Sequence, residues 1–221
     1  MKRAEHAVEF LDRPVPRADR EAALRDIDRL NAWFGGYWLT RRAIGRLTGG
    51  ARALTVIDVG GGRGDFARRL ARSARRRGRR VRVVVVDRDA AVAGGDPDVV
   101  AVRADATALP FREGAADVAT ASLLLHHLEP DAAARCLSEM RVAARRGVVV
   151  NDLLRTRATV VLVWLATRLF ARHRFARHDG PLSVRRAYAP DELRTLAEKA
   201  GIARLAIRRH GLLGRVVAVS E

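Results

Sequence analysis

At 221 residues the chain is long enough for one domain with a sizeable core and too short for two ordinary enzyme domains. Apolar residues make up 48% and can fill that core, while 30% charged residues exclude a membrane bundle. A formal charge of +17 ordinarily points to an anionic partner, but only Lys2 and Lys199 are lysines. The charge is nearly all arginine, in a chain rich in alanine and glycine and lacking glutamine. That skew resembles GC-rich coding spread over solvated faces, so nucleic acid is not the expected partner.

The single cysteine, Cys136, excludes an internal disulfide and a multi-cysteine zinc site. It falls in a helical pattern with Ala132, Ala133 and Met140 and reads as a buried thiol. The first twenty residues have no apolar stretch of a secretory signal. The longest apolar run, 158–166 and on past Arg168 to Phe170, is shorter than the roughly twenty residues a bilayer requires. A cytoplasmic protein is expected.

In chain order, residues 18–47 are helical, with Leu24, Ile27, Leu30, Phe34 and Trp38 at steps of three and four. Gly35-Gly36 breaks that pattern into two helices, and Gly49-Gly50 closes it. Residues 1–50 are thus expected as a helical N-terminal cap, and 51–221 as the core. A strand at 54–59, a helix at 66–77 stopped by Gly78, and strands at 81–86 and 99–102 come next. A strand is expected over 117–125, then a helix at 130–144 and a fifth strand at 147–150. The alternation argues for a parallel sheet with helices on both faces. After Asn151 the rhythm breaks. Residues 153–190 read as a mobile lid or substrate insertion, in which 178–181 (His-Asp-Gly-Pro) makes a turn. A helix opened by Pro190-Asp191-Glu192 and ended by Gly201 then leads to an antiparallel hairpin, 202–209 and 215–219.

Residues 56–66, Val-Ile-Asp-Val-Gly-Gly-Gly-Arg-Gly-Asp-Phe, carry the most chemistry. A strand running through glycines into a helix brings bare backbone close to a ligand. The Gly-Lys-Ser/Thr ending of the NTPase phosphate loop is absent. The dinucleotide fingerprint fails at its third glycine, where Asp65 stands. Asp-x-Gly-x-Gly-x-Gly is what remains, and Asp87, Asp105 and the segment 117–122 follow it at the ends of successive strands.

This order resembles the class I S-adenosylmethionine-dependent methyltransferases, closely over residues 51–150 and 189–221. The resemblance implies an α/β, Rossmann-like, doubly wound and mostly parallel seven-stranded sheet with an antiparallel last strand. It implies S-adenosylmethionine as cofactor, S-adenosylhomocysteine as product, and no metal. Cofactor contacts are expected from Asp58, Gly60, Gly62, Gly64, Asp87, Arg88, Asp105, Ala106 and Ser122. Asp87 would take both ribose hydroxyls and Asp105 the adenine amino group, while Asp58 could face the ammonium group.

The segment 121–124, Ala-Ser-Leu-Leu, lacks the Asn/Asp-Pro-Pro-Tyr/Phe motif of amino-methylating DNA and protein enzymes. Neither lysine is placed as in RNA ribose methyltransferases, and Ser122 stands where metal-dependent catechol enzymes carry an aspartate. A small aromatic or lipophilic acceptor remains, with O-methylation of a phenol, quinol or polyketide-like metabolite expected first. C-methylation of a quinol ring, a nicotinamide-dependent oxidoreductase and a basic nucleic-acid-binding module stand as alternatives. His127, His178 and Asp152 are candidate bases. Trp33, Tyr37, His126, Asn151, Trp164 and Arg186 are candidate acceptor contacts. Surplus apolar surface at 160–169, flanked by arginines, leaves peripheral membrane contact and a homodimer open.

Overall fold

The computed structural model describes residues 1–89 and 95–220. Two helices, α1 (Arg17–Trp33) and α2 (Gly36–Thr48), precede the sheet, separated by Gly35 in the left-handed conformation (φ 77°). Then follow β1 (Ala53–Val59), α3 (Asp65–Arg75), β2 (Arg80–Asp87), β3 (Val99–Arg103), β4 (Ala116–Ser122) and α4 (Pro130–Ala143). The remainder is β5 (Ala144–Leu153), α5 (Arg157–Phe170), α6 (Arg174–Arg186), α7 (Pro190–Lys199), β6 (Leu205–His210) and β7 (Arg215–Ser220).

The sheet order is β3-β2-β1-β4-β5-β7-β6, and β7 runs antiparallel to both neighbours. This is the doubly wound seven-stranded sheet expected from the sequence. Side-chain alternation divides the core into two layers. Val83, Val85, Val118 and Val149 pack with α2 and α3, through Leu39, Ile44, Phe66 and Leu70. Ile57, Val86, Ala119 and Val150 pack with α4 and α7, through Leu137, Met140, Leu193 and Leu196. Strands buried on both faces account for the unbroken valine runs. Cys136 lies wholly inside, and burial pushes its thiol up to about 12.

Three expectations are corrected. β4 stops at Ser122 rather than 125, because Leu123 turns into the left-handed region (φ 55°) and its N–H donates to the Asn151 carbonyl. β5 is longer than expected, beginning at Ala144 directly after α4. Residues 178–181 form no turn; they lie inside α6. An interior proline costs a helix about 3 kcal/mol. Against that, the Asp179 carboxylate accepts N–H bonds from Phe10 and Leu11, each charge-assisted. A Cβ at Gly180 would stand 2.7 Å from Thr167 Cγ2, so the glycine serves the close approach of α5, not a turn.

α1 lies across the carboxyl ends of the strands and is tied down at several points. Buried Asp26 accepts from the N–H groups of Arg172 and His173, both at 2.6 Å, capping the start of α6. Arg20 reaches Asp89, just beyond β2, at 3.1 Å. The outer face of α5 exposes Val161, Trp164, Leu165 and Leu169. No helix among the described residues is long and apolar enough to cross a membrane.

Candidate active site

A cleft of about 1520 Å³ opens at the carboxyl ends of β1, β2 and β4, beneath α1, α5 and α6. This is where open α/β sheets bind ligands. Its first wall is the glycine loop. The Gly60 N–H donates to the Val86 carbonyl at 2.7 Å, drawing the loop against β2. A Cβ at Gly60 would meet Leu124 at 2.7 Å, and one at Gly61 would meet the Asp58 carboxylate at 2.6 Å. Gly62 holds a positive φ of 52° with open space on its side-chain face. Gly64, also left-handed, is the N-cap of α3 and does not line the cleft.

Two acids flank this loop. Asp87 ends β2, and its carboxylate accepts the Gly62 N–H at 2.9 Å and the Asp89 N–H at 3.0 Å, which fixes its orientation. Asp58 is buried, and Thr120 Oγ1 donates to it at 3.0 Å. Burial, with Asp87 nearby, pushes its carboxyl up to about 7. The backbone N–H and the hydroxyl of Thr107, with the Arg88 guanidinium, hold Asp105 down to about 2. Its neighbours Ala104 and Ala106 line the cleft. Such a cradle suits a nucleoside. Bare backbone forms one face, and Asp87 stands beside it at the end of β2.

The other wall carries bases. Just past β4, the single turn Leu125–His127 presents His126 and His127 with rings 4.2 Å apart. His126 Nδ1 lies 2.7 Å from Asp152 Oδ1 at the end of β5. Asp152 is buried and also accepts the N–H groups of His126 and Leu153. Burial opposes its ionisation, but His126, the Leu153 N–H and Arg215 outweigh that and hold the carboxyl below the usual range. His127 Nδ1 lies 2.7 Å from Asp12. Each Nε2 stands 4.0 Å from an oxygen of Glu9.

Glu9 and Asp12 had no signal in the sequence. They sit in a short N-terminal segment without periodicity, and only the fold brings them to the histidines. Ser183 Oγ donates to Glu9 at 2.8 Å and Arg186 at 3.3 Å, yet burial still pushes the Glu9 carboxyl up to about 7. Glu9, His126 and His127 converge closely enough to bracket a cation. The Arg186 guanidinium already occupies the carboxylate side of that cluster, which disfavours a second positive charge there.

The remaining expected residues divide. Ser122 and Tyr37 line the cleft: Ser122 Oγ meets Thr40 Oγ1 at 3.2 Å, and the Tyr37 hydroxyl donates to Asp28. Asn151 is wholly buried, its Nδ2 donating to the Gly36 carbonyl and to Thr40, so it joins β5 to α2 instead of meeting an acceptor. Arg186 donates to Glu9, Asp12 and the His127 carbonyl, and its charge is spent inside the protein. Trp33, 61% exposed, packs edge-on to Phe170 outside the cleft. Trp164 and His178 border a separate shallow groove on the outside of α5 and α6. His178 bonds Asp179 and rests on Phe10 there, and it does not line the cleft.

This sheet order, with a glycine loop at the carboxyl end of β1 and an antiparallel β7, is the Rossmann-like methyltransferase fold. Residues 56–147 match the family model described as a methyltransferase domain. No curated protein matches the chain. Among solved structures, human N-acetylserotonin methyltransferase in complex with S-adenosylmethionine is similar at TM-score 0.62 and 13% identity, covering 93% of this chain. An O-methyltransferase family protein from Burkholderia thailandensis is similar at TM-score 0.62 and 15% identity, also covering 93%. The chain spans 56% and 60% of the length of those two proteins. A methyltransferase from Aquifex aeolicus, at TM-score 0.57 and 19% identity, is covered over 88% of its length and covers 80% of this chain.

Asp58 is a testable element of this cradle. Its carboxyl, at about 7 when folded against 3.8 for a free aspartate, means that the folded chain holds a proton which the unfolded chain releases. The stability this proton confers is complete below about pH 4 and is lost as pH rises through 7. Asp58→Asn is therefore expected to stabilise the free protein by roughly 1–3 kcal/mol at pH 8 and little at pH 4. The same change should weaken S-adenosylhomocysteine binding about tenfold if Asp58 faces the ammonium group. Thermal melts at the two pH values and calorimetric titration read both effects; a variant less stable at pH 8 would contradict the burial of a charge.

Proposed function

We propose that the protein transfers a methyl group from S-adenosylmethionine to a hydroxyl oxygen of a small aromatic or polyketide-like acceptor, with His126 as general base. The observation that carries this reading is the His126–Asp152 pair, set immediately past β4 on the wall of the cleft. The O-methyltransferase described above favours oxygen as the methylated atom.

The cofactor supplies an electrophilic methyl group, and the rest is alignment and one proton. With Nδ1–H donating to Asp152, His126 keeps its lone pair on Nε2, on the face toward Glu9 and the cleft. Nε2 takes the acceptor's hydroxyl proton as the oxygen becomes nucleophilic, and Asp152 offsets the charge of the resulting imidazolium. His127, paired with Asp12, stands behind it as a second base of the same build. Leu153, Leu162, Val163 and Leu213 give the acceptor side an apolar lining that excludes water. On the opposite side, Asp87 and the loop at 60–62 would hold the ribose and the methionine portion.

The test is methyl transfer from labelled S-adenosylmethionine to a panel of phenols and quinols, with the site of methylation read by mass spectrometry. Label appearing on oxygen supports the reading. Label on ring carbon would replace it with C-methylation, and binding of nucleic acid without cofactor affinity would sink it.

A further inference from the structure

Arg215 is a buried charged residue of the cleft to which the proposed reaction gives no role. It opens β7 opposite Leu153 of β5, is 5% exposed, and lines the cleft. Its Nη2 donates to Asn31 Oδ1 at 2.8 Å, while Nε and Nη1 are buried without a hydrogen-bond partner. No carboxylate forms an ion pair with it among the described residues; Asp152 acts on it only from a distance. Burial pulls the guanidinium down to about 10, which leaves it charged at neutral pH.

A buried cation with two unpaired nitrogens is costly, because its lost hydration is not replaced. The surroundings are nevertheless built to hold it. A Cβ at Gly36 would stand 1.7 Å from Asn31 Oδ1, so glycine at the start of α2 makes room for the side chain that orients Arg215. Leu153, Leu162, Leu213 and Phe34 line the same cleft and offer no competing acceptor. Guanidinium geometry matches a planar, two-oxygen anion.

The geometry points to Arg215, oriented by Asn31, as a carboxylate-binding subsite inside the cleft. Two ligand groups present that chemistry: a carboxylate on the acceptor and the methionine carboxylate of the cofactor. The inference rests on the reading of the cleft as a methyltransferase site, but its test measures equilibrium binding and needs no turnover. The assignment of His126 can therefore fail without affecting it, and the reverse holds too.

Two ligand pairs separate the sources by calorimetry. One pair is S-adenosylhomocysteine and its decarboxylated analogue. The other, measured on protein saturated with S-adenosylhomocysteine, sets aromatic hydroxy acids of the benzoic, cinnamic and naphthoic series against their amides. The wild-type protein is expected to prefer the carboxylate by about 10–100-fold in one pair. Arg215→Gln should abolish that preference and Arg215→Lys should retain part of it. Preference in the first pair assigns the subsite to the cofactor, and in the second to an acidic acceptor. Asn31→Ala, which leaves the cation in place, should reduce the preference less than Arg215→Gln. No preference in either pair for the wild-type protein overturns the inference, as does a preference that survives in folded Arg215→Gln.

Discussion

His126→Ala is expected to lower turnover about 10²–10⁴-fold while S-adenosylhomocysteine affinity stays within a factor of two or three. The Asp152 carboxylate holds the imidazole at 2.7 Å, and the ring takes no part in the glycine loop's hydrogen bonds. Removing the ring therefore removes the proton acceptor without touching the glycine cradle. Asp152→Asn should reproduce much of the loss, since an amide can donate to Nδ1 and so favour the wrong tautomer. The buried amide also leaves a polar group poorly matched to its neighbours, so its melting temperature must be measured alongside. His127→Ala should cost less, because Asp12 and Arg186 tie that ring to the N-terminal segment. His178→Ala should cost nothing measurable. Steady-state kinetics with a phenolic acceptor over pH 6–9 decides the matter. A His126→Ala enzyme with unchanged turnover would mean that the acceptor arrives already ionised and that alignment alone suffices.

Asp87→Ala should weaken S-adenosylmethionine and S-adenosylhomocysteine by roughly 1–3 kcal/mol, about 10–100-fold. Two losses combine there. The ribose hydroxyls lose a charged acceptor, and the Gly62 N–H loses the carboxylate that holds the loop at 2.9 Å. Asp87→Asn separates them, since the amide oxygen can still accept the Gly62 N–H. If loop anchoring dominates, the asparagine variant binds nearly as well as wild type; if the ribose contact dominates, both variants bind poorly. Calorimetry showing full affinity in Asp87→Ala would remove the residue from the cofactor site.

The sheet and the glycine loop at its edge were legible because their signals are local. Valine runs such as 83–86 mark strands buried on both faces, and the glycines at 60–64 mark a sharp turn whose backbone must meet a ligand. Strand-end acids follow from the same logic, since consecutive parallel strands deliver their carboxyl ends to one edge. Asp87 therefore lines the cleft, while Asp105, just past β3, pairs with Arg88 and Thr107 and only its neighbours Ala104 and Ala106 line it.

The acceptor side was not legible, because it is assembled from residues far apart in the chain. His126 and His127 could be singled out, but their ranking depended on partners at positions 9, 12 and 152. Burial decided the rest. His178 and Trp164, attractive beside an Asp and within an apolar run, face outward because Gly180 and Asp179 commit α6 to pack on α5 and on Phe10. Arg215, one arginine among many, is set apart by being buried with two unpartnered nitrogens and, among the described residues, no ion pair. Periodicity and turn chemistry thus determined the sheet, its order of elements and the glycine cradle from the sequence itself. Only the tertiary structure decided which histidine lines the cleft with a buried carboxylate behind it and which buried arginine lacks an ion pair, because pairing and desolvation depend on neighbours that are distant along the chain.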